Sequence, residues 1–522
     1  MGKKQHHQQQ KRSPPPGKDT GKKLPAQKRH ELDQLIDGLL KLGFKQTNNV
    51  TEQWAQYTEI QAILDRVLAI ESCLKVKGAG SKSRAASVES FCKWAEENGT
   101  DFKGVKVVEF PGFDLGLMAS KDLEAGEKFV TVPRKVIMSE EAFTQSLEPI
   151  IKEIPMFDTM TNVKLAFAVL LEKLNPDSFW KPYLDILPEK FSTVLYFSVN
   201  DMQELKGSNA LGQAINQCKS IARQYAFIYK CVQNLRTEKG KDTPATRMFE
   251  MLKEKFTYDL YRWAVSTVMT RQNAIPRTSP GATTAASSSS AERDENADVM
   301  PALIPLWDMA NHREGVVTSS YNLQLDRLES HTTSGFKKGE QIFIYYGDRP
   351  NADLLIHNGF VYPDNAKDSV NIKLGLSSSD ELLTERTQLL EQLRIPKNCE
   401  LKVLQQPVYI SPQLLAFVRI FNMNRDQLAH WISSERAPDL MHIDCALETS
   451  LESKTWTFLQ NRLNLLLKVF PTTLEEDEAT LSNHLMGKAK LGHIKAMLLQ
   501  FRILEKRILA NALDYAKQRT KT

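Results

Sequence analysis

A chain of 522 residues, 41% hydrophobic and 25% charged, has the composition of a globular protein and the length of about two to four domains. No apolar run approaches the roughly 20 residues of a membrane helix, so no membrane partner is expected. The net charge of +5 hides a split: residues 1–30 carry nine Lys or Arg against the single acid Asp19, and the remainder is mildly acidic.

That basic, Gln- and Pro-rich tail reads as solvated disorder, with contact to nucleic acid or an import receptor as the alternative. Nothing downstream interleaves basic and aromatic residues as a nucleic-acid groove does, and no nucleic-acid partner is expected. The N-terminus lacks the short apolar stretch of a secretory signal, so the expected compartment is reducing: the cytoplasm, with the nucleus second. Cys73, Cys92, Cys218, Cys231, Cys399 and Cys445 include no CxxC pair, and the ten histidines include no HExxH spacing. Neither a disulfide framework nor a metal is expected. A monomer is the expected state, with no sequence feature that decides it.

From Glu31 to Leu68 apolar residues recur at helical spacing, as in Leu32, Leu35, Ile36, Leu39 and Leu40, and predict helices packed on a larger body. Residues 75–84, KVKGAGSKSR, have neither phosphate-loop spacing nor a preceding strand and read as a loop. Between Val105 and Met138 the runs VKVVEF, LGLMAS and KFVTVP predict a small twisted sheet. Helical periodicity returns over 139–270, in NVKLAFAVLLEKL and YRWAVSTVMT above all. The Ser/Ala/Thr segment 277–299 cannot bury enough apolar area to fold and is expected to be a disordered insertion. Strand texture resumes at ALIPLWDMANH and QIFIYYGDR, and long amphipathic helices follow from about residue 378. This order predicts an α+β fold: a β domain interrupted by helices, then a helical C-terminal domain.

Three stretches carry the chemistry. DLGLMASKDLEAGE (114–127), PLWDMANH (305–312) and GEQIFIYYG (339–347) resemble, in order, the GxGLxAxxDIxxGE, NH and GEEIxxxYG motifs of SET-domain methyltransferases. FWKPYLDILPE, ARQYAFIYK, FTYDLYRWAVSTVMTRQN and IHNGFVY are similar to the branch with a Rubisco-lysine-methyltransferase-like C-terminal domain, and within it to the enzymes that methylate a histidine of actin. The resemblance covers roughly residues 50–510. It implies a SET domain at 103–347 with a helical insertion at 139–276, while the basic tail at 1–30, the helical segment at 31–102 and the disordered loop at 277–299 are read from composition and periodicity, the tail and the loop lying outside the resemblance. A cofactor-contacting segment at 348–362 and an all-α substrate-binding domain at 363–522 complete it.

The resemblance further implies S-adenosylmethionine as cofactor and actin as protein substrate. Transfer of a methyl group from a sulfonium to a nitrogen is an in-line displacement, so the donor must be aligned, water excluded and the nucleophile uncharged. Arg84 and Arg271 match the arginines near the donor's carboxylate, and Asn311 and His312 match the NH pair at its adenine. Phe113, Asp114, Leu115, Asp308, Met309, Ala310, Asn358, Gly359 and Phe360 match the other cofactor-contacting positions. Asp114 stands where the pattern has glycine, which a backbone contact tolerates and a side-chain clash would not.

On the acceptor side Tyr346 matches the active-site tyrosine, and Trp307, Ile304 and Ile344 the slot for the reacting side chain. By residue type alone, Tyr345 and Tyr346 read as a packed strand pair and Trp307 as core. Arg223 and Arg349 match positive positions near a peptide groove, or are plain surface arginines, and Pro350 replaces the small polar residue usual after the latter. Asn273 matches the position at which histidine-modifying enzymes carry Asn and lysine-modifying relatives an aromatic. An amide there orients an imidazole by one nitrogen, although Asn before Ala-Ile-Pro also suits a loop or a helix-end cap. Histidine, with a pKa of about 6.5, is mostly neutral at pH 7, whereas lysine at about 10.4 must first lose a proton. A SET-type lysine methyltransferase and a non-catalytic binding protein using the C-terminal helices remain the alternative readings.

Overall fold

The computed structural model describes residues 24–47, 49–74, 84–143, 148–150, 153–236, 243–277, 298–445 and 447–521. Most of the basic tail, all of the stretch 75–84 except Arg84, and nearly all of the Ser-rich insertion lie outside the described residues.

Helix α1 (Ala26–Phe44) begins inside the span expected as tail, because the apolar stripe of Leu32, Leu35, Ile36 and Leu39 is buried. Helix α2 (Val50–Glu71) starts at Asn49, whose side chain accepts from the Glu52 amide at 2.9 Å and satisfies one of the helix's open donors. At its far end the Glu71 carboxylate accepts from the Tyr225 hydroxyl and, at 2.8 Å, from the Tyr258 amide. One buried acid thus joins α2 to two helices of the insertion. Helix α3 (Val88–Glu97) completes the N-terminal segment.

The central body is built on short strands. Strands β1 (Val105–Phe110), β2 (Asp114–Ala119) and β3 (Lys128–Pro133) are followed by β4 (Met138–Ser139), and the insertion leaves the sheet there. Its main helices are α4 (Thr161–Leu174), α5 (Ala210–Asn234) and α6 (Tyr258–Arg271). The chain re-enters as β5 (Asn273–Pro276) and β6 (Val299–Leu303), then β7 (Asn311–His312), β8 (Ser319–Asn322), β9 (Arg327–His331) and β10 (Gln341–Ile344). The insertion's helices therefore end at Arg271, and its expected last residues form a strand paired with β6, Asn273 facing Ala302.

Four strands run in the order β1-β2-β10-β7, with β10 antiparallel to β2 and parallel to β7. Segments more than 200 residues apart become neighbours in this sheet, where Ile342 faces Leu117, and on its other side Phe343 of β10 faces Asn311 of β7. The remaining strands of this body form two further sheets, β3-β9-β8 and β4-β6-β5.

The C-terminal unit is helical around one exception to the all-α expectation, a hairpin of β11 (Ser369–Gly375) and β12 (Asn398–Leu404). It continues through α7 (Pro412–Asn422), α8 (Thr449–Val469), α9 (Leu474–Leu485) and α10 (His493–Lys521). Helix α10 serves two cores: Leu498 and Phe501 pack in the central body, and Ile508, Leu509 and Ala512 in the C-terminal one. Polar groups lock the same seam, since Asp477 receives Arg502 and Lys506, each at 2.6 Å, and Arg502 also reaches Glu204 of the insertion at 2.9 Å.

Candidate active site

The three motif segments meet because β2, β7 and β10 are adjacent strands. Gly116 is required by this approach: a Cβ there would stand 2.8 Å from both the Asn311 and the Gln341 side-chain nitrogens. With that space open, the Asn311 amide donates to the Leu115 carbonyl at 3.3 Å, stitching the NH segment to β2. On the opposite wall a π-helical turn over Leu354–Asn358 ends at Gly359 in the left-handed region, where a Cβ would lie 2.7 Å from the Ser192 backbone. Such turns recur at functional sites, and here it carries Asn358 and Phe360 to the same space.

That space is a cavity of about 700 Å³. One end is charged. Arg271, the last residue of α6, donates through Nη1 to the Asp308 carbonyl at 2.9 Å and lies 3.4 Å from its carboxylate. The Asp308 carboxylate also accepts from the buried Tyr183 hydroxyl through Oδ2, while Oδ1 has no partner. Burial raises the Asp308 pKa even though Arg271 pulls it down. For Arg271 burial disfavours the charge, but Asp308, Tyr183 and Tyr346 outweigh it and the pKa rises. Arg84 stands beside this pair, its Nε donating to the Ile186 carbonyl at 2.7 Å and its Nη1 to the Asp114 carboxylate. Burial, then the charge of Arg271, lowers its pKa. Asp114 holds φ of +60°, which explains the usual glycine and which Asp tolerates better than most side chains.

The other end is aromatic. The His312 ring lies 5.0 Å from Tyr346, 5.2 Å from Tyr362 and 6.0 Å from Phe360, centroid to centroid. The Tyr346 amide donates to His312 Nδ1 at 3.2 Å, which puts the imidazole proton on Nε2, and burial keeps the ring's pKa below its ordinary value. Tyr346 itself donates through its hydroxyl to the Ala310 carbonyl at 2.8 Å, and burial pushes the phenol up to about 12. It is a neutral phenol with its proton engaged and its oxygen lone pairs available at the cavity wall.

Arg84, Phe113, Asp114, Leu115, Arg271, Asp308, Met309, Asn311, His312, Tyr346, Asn358, Gly359 and Phe360 all line the cavity. Ala310 does not, and instead supplies the carbonyl that holds Tyr346. The acceptor-side residues are placed differently. Ile304, Trp307 and Ile344 are buried next to the cavity segments, and the Trp307 ring nitrogen has no partner. Arg349 stands behind the wall and donates to the Asn358 side chain at 3.0 Å. Asn273 opens β5 rather than capping α6, and its Oδ1 accepts from the Ala274 amide at 2.9 Å. Arg223 lies with its guanidinium 5.3 Å from the Phe44 ring, against the end of α1. Lining residues that sequence reasoning missed include Lys190, Phe191, Ser192, Phe343 and Tyr362. Tyr362 and Phe343 sit inside motif segments already singled out, whereas nothing local marks Lys190 to Ser192.

Fold and site together define a SET-domain methyltransferase architecture with a second, mainly helical unit. Residues 114–347 match the SET domain family and residues 377–509 the family described as Rubisco LSMT substrate-binding. The solved structure of Rubisco LSMT bound to AdoMet shares the fold at a TM-score of 0.60 and 21% identity, over 83% of this chain and 92% of that one. The actin-histidine N-methyltransferase of Drosophila melanogaster is 42% identical over 513 residues, 95% of this chain and 91% of the relative. That of Homo sapiens is 37% identical over 469 residues, 89% and 74% of the two chains. The chain belongs to the actin-histidine N-methyltransferase family.

Proposed function

We infer that this chain is an S-adenosylmethionine-dependent methyltransferase acting on a histidine of actin, and that the nitrogen methylated is Nε2. The activity and the substrate protein follow from the family. The choice of nitrogen and the roles of single residues are our own reading.

The cavity suits the donor chemically, and its volume of about 700 Å³ is that of an ordinary small-molecule site. A zwitterionic amino-acid end needs a cation for its carboxylate, which Arg84 and Arg271 provide. It needs acceptors for its ammonium, and the buried Asp308 Oδ1 without a partner is one. A purine needs flat apolar walls, which His312, Phe360 and Tyr362 supply. S-adenosylmethionine, when bound there, supplies a methyl group activated by a positive sulfur.

The chain's own residues do the rest. Tyr346 is too weak an acid to serve as a base near pH 7, and its oxygen acts as an acceptor beside the reacting carbon. Ile304, Trp307 and Ile344 exclude water from the acceptor slot. Asn273 orients the acceptor ring: its Oδ1 has a second lone pair, and an imidazole Nδ1–H donating to it leaves the Nε2 lone pair for the methyl group. That hydrogen bond selects both the tautomer and the nitrogen. The single observation that carries this reading is the convergence of Arg84, Arg271, Asp308, His312 and Tyr346 on one cavity.

We take the working unit to be monomeric and cytoplasmic, with the nucleus as a second place; the six free cysteines support a reducing compartment. The test is labelled methyl transfer to purified actin, followed by mass spectrometry of the product. One methyl on a histidine Nε2 is expected. Continued methylation of an actin peptide with that histidine replaced by alanine would overturn the reading, and label on lysine would establish the lysine alternative.

A further inference from the structure

Beside the donor's place lies a carboxylate that methyl transfer does not require. Asp114 opens β2 at φ of +60°, a value glycine reaches freely and other residues only at a cost. A glycine there would relieve the backbone and carry no charge, so the side chain is what this chain adds. That side chain is paired with Nη1 of Arg84. The two partners differ in setting: the Arg84 side chain is 16% exposed and that of Asp114 55%. The Ile186 carbonyl holds the Arg84 Nε from behind, so the guanidinium is fixed, and the carboxylate at the open side is the part free to yield. Arg271, the other guanidinium, is already engaged by Asp308 in the floor.

We propose that Asp114 is an internal competitor for Arg84, occupying the guanidinium that receives the carboxylate of the donor's amino-acid end and thereby weakening the hold on donor and demethylated product alike. The proposal rests on the S-adenosylmethionine reading above. The physical ground is that an incoming carboxylate must displace or share a cation already paired, while a second negative charge stands a few ångströms away. Because the competition acts at the amino-acid end only, ligands lacking that end escape it.

The experiment is calorimetric titration of the full chain with S-adenosylhomocysteine and with methylthioadenosine, which keeps the nucleoside and the thioether but has no amino-acid end. Asp114→Asn, which tolerates the same backbone angle, is expected to tighten S-adenosylhomocysteine by about three- to tenfold and leave methylthioadenosine unchanged. Asp114→Gly should do the same. In an Arg84→Met background the gain should vanish, since the group competed for is gone. Thermal melts of each variant confirm that it folds. No change in S-adenosylhomocysteine affinity would make the ion pair a bystander, and weaker binding would make Asp114 a receptor for the donor's ammonium; either overturns the proposal. An equal gain for both ligands overturns it too. A wild-type chain that binds neither ligand sinks the donor reading itself, a result distinct from normal binding that Asp114→Asn leaves untouched.

Discussion

The Tyr346 hydroxyl donates to the Ala310 carbonyl at 2.8 Å, so the residue before the NH pair holds the phenol of the tyrosine that closes the last motif. Tyr346→Phe keeps the ring that walls the cavity and removes the oxygen. Turnover should fall roughly tenfold to a hundredfold, the value of one hydrogen bond of about 1.5–3 kcal/mol. Calorimetric affinity for the donor should stay within about twofold. With the phenol pushed up to about 12, the kcat profile should show no loss from this group through alkaline pH near 10.

Asn273→Ala should leave donor affinity unaltered and lower kcat/KM for an actin peptide by about tenfold or more, because the imidazole loses the contact that selects its tautomer. Steady-state kinetics at saturating donor decide this. An unchanged kcat/KM would remove Asn273 from the acceptor site.

Asp308→Ala strands the Arg271 guanidinium, whose partner carboxylate is only 2% exposed. Loss of one member of a buried pair costs about 3–5 kcal/mol, which denaturant unfolding can measure. Asp308→Asn, which can still accept from the Tyr183 hydroxyl, should cost less.

The Asp477 lock predicts acid sensitivity. Burial works against the Asp477 charge, but hydrogen bonds from Arg502, Lys506 and Thr472 prevail and hold its pKa below the ordinary 3.8. The stabilisation is therefore complete above that value and is lost as pH falls through the lowered folded pKa. Asp477→Ala should destabilise the seam at neutral pH and flatten the acid limb of the melting curve.

Glu71 behaves oppositely. Burial pushes its pKa up from 4.5 to about 8, against the hydrogen bonds from Tyr225 and Tyr258. The folded state then binds the proton more tightly than the unfolded one, and stability declines as pH rises from about 4.5 to about 8 before levelling. In Glu71→Gln that slope should disappear, which melts at several pH values will show.

The motif stretches could be read along the chain because each is a local pattern of residue types, and eleven residues assigned through them line one cavity, joined there by Arg84 and Phe113 from outside the stretches. The hairpin of β11 and β12 was passed over because SVNIKLG and NCELKVL are short alternating runs within helical sequence, and their pairing across an intervening helix leaves no local mark. Residues 190–192 were missed for a related reason: Ser192 lies against Gly359 far along the chain, and all three reach the cavity only in the folded chain.

By itself the sequence determined most of the order of helices and strands, the β11–β12 pair excepted, and the motif residues, since these depend on periodicity and side-chain type over short distances. Only the tertiary structure decided that β2, β7 and β10 are neighbours, that Asp114 takes hold of Arg84, that Arg223 turns to Phe44 and that Asn273 opens a strand. Periodicity says which face of an element is apolar; which distant element covers that face, and which charges are thereby forced together, is settled by packing of the whole chain.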